Sequence, residues 1–189
     1  EAFRSQAIDM APGFAVHIEH NELHHPLDDN SGIVGMKLGS SGVFISDNDV
    51  HDLGSAFNNS QAFSMGGTGS VTLDLEGYTA SDLHVTGNRV KNTSGILAQM
   101  IACKDCSVED NDLVNAGAGV FIRAQALADP AQCVGGCKPS ATPRITGNRM
   151  RQMVGSGQSG TADSFVGAEA GEGQGIVAGA NLYCASNVG

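Results

Sequence analysis

The chain has 189 residues, of which 26 are Gly and none Trp, with 41% hydrophobic residues and a formal charge of −10. The apolar content excludes disorder, and the length suits one domain with a buried core. The acidity argues against a nucleic-acid partner, which needs clustered Lys and Arg. No apolar run reaches the roughly 18 residues of a membrane span.

Residues 1–15 come first. They carry Phe3, Ala7, Ile8 and Met10 and are expected to form a short capping helix or an incomplete repeat. The chain begins at Glu1 rather than Met. A processed mature chain, or a piece of a longer one, is the expectation.

From Val16 onward one pattern dominates: apolar-x-(His/Asp/Gly)-Asn-x-apolar. It runs Ile18 to Leu23, Ile45 to Val50, Val85 to Val90, Val108 to Leu113 and Ile145 to Met150. The asparagines are Asn21, Asn48, Asn88, Asn111 and Asn148, spaced 27, 40, 23 and 37 residues apart. The shortest spacing approximates the basic unit and the longer ones imply insertions. Apolar residues stand five and three places before each Asn: Val16/Ile18, Val43/Ile45, Leu83/Val85, Cys106/Val108 and Pro143/Ile145. That period of two makes strands with alternate residues facing inward, and the Asn follows at a corner. Asn suits a corner because it tolerates the left-handed conformation. Gly-plus-apolar runs at Gly32-Ile33-Val34, Gly95-Ile96-Leu97 and Gly119-Val120-Phe121 supply a further strand, and Gly175-Ile176-Val177 suggests a sixth, incomplete unit.

Three short strands per unit of about 23 residues predict an all-β chain, a right-handed single-stranded parallel β-helix of five to six coils. The apolar spacing of three and four needed for a helical repeat is missing, as is the frame of leucine-rich repeats. The β-helix domain is expected over residues 16–189, with insertions projecting near 53–69, 124–142 and 155–173. Such loops carry specificity or are decoration. Stacking at about 4.8 Å should align the asparagines as a ladder, each amide bonding its neighbour or the corner backbone.

These units resemble the parallel β-helix repeats of the pectate-lyase-like superfamily, from about Val16 to Met150. That superfamily includes polysaccharide lyases, glycoside hydrolases, epimerases, phage tailspikes and non-catalytic surface proteins. The resemblance implies export to the cell surface or exterior.

Five cysteines occur. Cys133 and Cys137 lie in an expected loop that a disulfide could staple. Together with Cys103 and Cys106 they superficially form a four-Cys zinc set, but Cys106 occupies an inward apolar position and reads as core. An odd count leaves at least one thiol free or paired outside the chain.

Candidate chemistry lies one and three places after each Asn, where side chains face outward: Glu22/His24, Asp49/His51, Arg89/Lys91, Asp112/Val114 and Arg149/Arg151. Ca²⁺ prefers oxygen ligands, so Glu22 and Asp49 are its candidate pair. Neutralising a uronate carboxylate acidifies the adjacent carbon, which the resemblance connects with metal-assisted β-elimination. Arg89, Lys91 and His51 are then the candidate catalytic groups, and His24, Arg149 and Arg151 the substrate-binding ones. The plainer reading of this face is a solvated surface of mixed charge.

A second cluster holds His17, Glu19, His20, His24, His25, Asp28 and Asp29, but it spans two faces and cannot converge on one ion. Asp28-Asp29 lacks the context of polygalacturonase-type hydrolases. The Asp-Asn-Asp runs at 47–49 and 110–112 lack the later Gly and Glu of an EF-hand. Sequons stand at Asn58 and Asn92.

The expected function is binding of an acidic uronate-containing polysaccharide and, if catalytic, its cleavage by calcium-assisted β-elimination or its modification, as by a lyase or an epimerase. The alternative is a non-catalytic structural module that self-associates end to end or continues in a parent chain.

Overall fold

The computed structural model describes residues 8–10, 13–24, 34–36, 40–53, 61–66, 78, 80–123, 140–153, 166–168, 173–174, 177–179 and 181–185. Every regular element among them is a β-strand, every pairing is parallel, and no helix occurs. No helix of the described residues is therefore long and apolar enough to cross a membrane.

Strand β1 (Ile8–Met10) precedes six passes of the chain. The first holds β2 (Phe14–Glu19), β3 (Glu22–His24) and β4 (Val34–Met36), the second β5 (Ser40–Ser46), β6 (Asp49–Leu53) and β7 (Gln61–Gly66). The third holds β8 (Ala80–Thr86) and the long β9 (Arg89–Ile101); the fourth β10 (Cys103–Lys104), β11 (Ser107–Glu109) and β12 (Asp112–Arg123). The fifth holds β13 (Ser140–Ala141), β14 (Arg144–Thr146), β15 (Arg149–Met153) and β16 (Val166–Ala168), and the last β17 (Gly173–Gln174), β18 (Val177–Gly179) and β19 (Leu182–Ala185). Strands preceding the Asn corner make a nine-stranded sheet; those following it, with β1, make a ten-stranded one.

Register joins equivalent positions. Ile18, Ile45, Val85, Val108, Ile145 and Ala178 pair in sequence across one sheet. Leu23, Val50, Val90, Leu113, Met150 and Tyr183 do so across the other. Strand alternation turns the apolar positions inward, and Val43, Ile45, Leu83, Val85, Val108, Val50, Val90, Leu113 and Met150 are fully buried in one cluster shared by both sheets. Each such side chain contributes about 1.5–3 kcal/mol.

The left-handed residue of the corner is the one before the Asn, not the Asn itself. Its φ is 56° at His20, 55° at Asp47, 67° at Gly87, 55° at Asp110 and 70° at Gly147. This explains the His/Asp/Gly choice in the motif, because Gly and short polar residues bear positive φ at least cost. The Asn is thereby released to turn inward. Similar corners recur six places before the Asn (Ala15, Gly42, Asp82, Asp105, Thr142) and four after it (Asp52, Asn92, Asn115).

Six asparagines form the interior ladder. Nδ2 of Asn21, Asn48, Asn88, Asn111 and Asn148 donates to Oδ1 of the next, at 2.8–3.0 Å, ending on Asn181. Each main-chain N–H donates to the same oxygen at 2.9–3.0 Å. Nδ2 also reaches carbonyls of the corner, as Asn88 does at Ile45 and Thr86. A buried amide can stay inside only because its hydrogen-bonding capacity is filled this way.

Several expectations are corrected. Residues 8–10 are a strand paired with β4, which fits the incomplete repeat offered for residues 1–15 and not the capping helix, since pairing satisfies their backbone where an isolated turn would not. Strand β7 lies within the insertion expected at 53–69, and buries Ala62, Phe63 and Met65. Strands β13, β16 and the start of β17 likewise fall within the other two insertions. Val177 opens the strand leading into Asn181, not a Gly-plus-apolar run following a corner. Cys106 is core, but it is disulfide-bonded to Cys103, with Cα atoms 6.1 Å apart, which the spacing had not suggested. Cys133 and Cys137 lie outside the described residues, as do His25, Asp28, Asp29 and Asn58.

Candidate functional site

Strands β3, β6, β9, β12 and β15 present the expected outward columns on the ten-stranded sheet. Glu22, Asp49, Arg89, Asp112 and Arg149 align in one column, and His24, His51, Lys91, Val114 and Arg151 in the next. All eight residues singled out for catalysis, substrate or metal stand on this face.

Its two ends differ. At the first, the His24 and His51 rings stack at 5.0 Å. His51 Nδ1 is 2.8 Å from Asp52 Oδ2 and Nε2 3.1 Å from Glu22 Oε1. The hydrogen bond to Asp52 raises the His51 pKa; burial opposes it and the bond to Glu22 adds to it. Lys91 Nζ donates to Asp49 Oδ2 at 3.2 Å, while Asp49 Oδ1 is buried with no hydrogen-bond partner among the described residues. That orphan oxygen alone favours a cation. Against it, Lys91 is bonded to the same carboxylate, Arg89 stands in register beside it, and Glu22 is bound by His51. Among the described residues no group of three or more His, Cys, Asp and Glu side chains can hold a metal. The described residues of this face do not fit calcium. The two acids lie next to basic side chains of the following strands, and these take their charge instead.

The second end is basic. Arg151 Nη2 forks onto Asp112, 3.0 Å from Oδ1 and 2.8 Å from Oδ2. Arg89 and Arg149 flank Asp112 from the strands on either side. Neither of their side chains has an ion pair or hydrogen bond to a described residue. Both are exposed, two strand spacings or about 10 Å apart.

The histidine cluster divides as anticipated: His17 and Glu19 sit on β2 in the nine-stranded sheet, His24 on β3 in the other. Sequence reasoning missed the partners of His17, which come from other passes: its ring stacks on Phe44, and Phe44 on His84. Their common offset, four before the Asn, is the signal that could have found them. On the same sheet Arg144 Nε donates to Glu109 Oε1 at 2.5 Å. Burial pushes the Glu109 carboxyl up, but hydrogen bonds from Arg144, Thr146 and Ser107 outweigh it and hold the pKa below the ordinary value. The Asn92 amide is bonded within a short outer ladder, donating to Asp52 and accepting from Asn115.

Comparison of the chain with protein-family models, with curated proteins and with solved structures finds no match.

Proposed function

We propose that the chain is a right-handed parallel β-helix of the pectate-lyase-like kind, exported, that binds an acidic polysaccharide on the basic end of its ten-stranded face. The observation that carries the reading is the pair Arg89 and Arg149, held on parallel strands two steps apart with no side-chain partner among the described residues. Evenly spaced guanidiniums suit evenly spaced carboxylates, to which Arg can fork. Lys91 and Arg151 add charge but are already engaged, so they position rather than bind. The buried Cys103–Cys106 disulfide supports an oxidising compartment.

The test is affinity electrophoresis in gels containing polygalacturonate or alginate. The protein is expected to be retarded, and less so as salt rises. The double variant Arg89→Ala/Arg149→Ala should migrate freely while keeping its melting temperature. A wild-type chain that no polyuronate retards would end the proposal.

A second reading, a structural module that stacks end to end, has one specific observation behind it. All ladder bonds run the same way, so among the described residues Asn21 Oδ1 receives no amide, while Asn181 has no following Oδ1 to bond. The two ends are complementary, as a heterologous contact requires. Concentration-dependent growth in sedimentation velocity, abolished by Asn181→Leu, would favour it.

A further inference from the structure

The outer surface of the nine-stranded sheet holds a feature that the polyuronate reading does not use. Four places before the Asn, three successive passes carry His17, Phe44 and His84, in register on β2, β5 and β8. Their rings stack with centroids 5.0 and 4.9 Å apart and planes 17° and 19° from parallel. Phe44 remains 37% exposed. Two residues further along each strand runs a second column, Glu19, Ser46 and Thr86. Between the columns, over Ile45, lies an open groove of about 320 Å³.

The walls differ in chemistry. The ring wall is carried by Phe44, and the imidazole nitrogens beside it are engaged: His17 Nδ1 pairs with Glu19 of the opposite wall at 3.1 Å, and His84 with Ser107 at 2.8 Å and Asp82 at 2.9 Å. The opposite wall offers hydroxyls and a carboxylate, with Ser46 Oγ donating to Glu19 Oε1 at 3.2 Å. No Lys or Arg is among the described residues that line the groove, and Glu19 at its lip repels an anion, which disfavours a uronate. The groove crosses three passes at right angles to the strands, which suits a linear ligand. Its occupant needs one apolar flank and one flank of hydroxyl donors and acceptors, and it carries no negative charge.

We propose that this groove is a second binding site, for a short stretch of neutral polysaccharide. Sugar C–H groups pack along the exposed ring edges of Phe44 and the flanking imidazoles, while sugar hydroxyls bond Glu19, Ser46 and Thr86. Apolar walls with a few placed polar groups are the usual make-up of such a site, and a ligand would cover an aromatic surface otherwise left wet. The site is independent of Arg89 and Arg149, which face outward from the other sheet.

The experiment is affinity electrophoresis of the full chain in gels containing soluble β-glucan, galactomannan or dextran, run beside polygalacturonate. At least one neutral polymer should retard the protein. Phe44→Ala should weaken that retardation on the order of tenfold, as loss of an aromatic contact does. Phe44→Leu keeps an apolar side chain in the strand without the ring, guarding against a folding defect, and should weaken it similarly. Arg89→Ala/Arg149→Ala should leave it unchanged, so failure of one site is separable from failure of the other. The proposal is overturned if no neutral polymer retards the wild type, if Phe44→Leu binds as well as wild type, or if the Phe44 variants lose retardation by polygalacturonate instead.

Discussion

The Oδ1 atom of Asp110 lies 2.0 Å from the point where a Cβ on Gly147 would stand. Asp47 stands over Gly87 in the same way, at 2.8 Å. In this corner column an aspartate of one pass leans over a glycine of the next, and both adopt positive φ. Gly147→Ala must therefore displace the Asp110 carboxylate and hold alanine at φ near 70°. We expect a loss of about 1–2 kcal/mol from the left-handed backbone, and more from the contact. Urea denaturation of Gly147→Ala and of Asp110→Ala/Gly147→Ala separates the two, because the double variant should recover the steric part. Gly147→Ala as stable as the wild type would contradict the account.

The asparagine ladder predicts a gradient of sensitivity. Asn88→Ala removes the acceptor of the Asn48 main-chain and side-chain amides, together with a side-chain donor to the Ile45 carbonyl. Unmet buried groups cost roughly 1–3 kcal/mol each, so a total of about 3–5 kcal/mol is expected. Asn21 is exposed and accepts no ladder bond from a described residue, so Asn21→Ala should cost about 1 kcal/mol or less. Chemical denaturation of the two variants, side by side, checks the ordering.

Much of this was legible in the sequence, for a physical reason. A buried amide with only one satisfactory partner geometry forces the same residue type into every pass, and the Val and Ile beside it share that constraint. Asn181 escaped because Ala178 and Ala180 replace the branched residue and the His/Asp/Gly corner of the other repeats. Strand β7 escaped because Phe63-Ser64-Met65 has no accompanying Asn. The stack of His17, Phe44 and His84 escaped for the opposite reason: surface positions carry no common constraint, so three different residue types meet only through register. The disulfide was hidden because the corner at Asp105, φ 53°, folds Cys106 back toward Cys103.

His51 should make stability depend on pH near neutrality. Its folded pKa is raised by Asp52 and Glu22, with Asp49 adding to this; Lys91 and the stacked His24 also face it. A raised pKa means the contribution is complete below the unfolded value of about 6.5 and is lost as pH rises through the folded one. The stability of the wild type minus that of His51→Gln should therefore grow between pH 8 and pH 6, by no more than about 1 kcal/mol. A difference that shrinks over that interval would reverse the assignment.

Reduction of Cys103–Cys106 should leave the fold standing. The two cysteines are three residues apart, so the bond closes a very short loop and restrains the unfolded chain little. We expect a stability loss of about 2 kcal/mol or less with a phosphine reductant. Cooperative unfolding at room temperature on reduction would show that the bond has a larger part.

Steps of 27, 40, 23, 37 and 33 residues separate consecutive ladder asparagines, and the amide contacts hardly vary in length across them. Chain length is therefore decoupled from alignment. Segments of different length fit between consecutive asparagines without shifting the parallel register of the strands on either side. A change of loop length between two of these asparagines is therefore expected to leave the amide contacts on both sides intact.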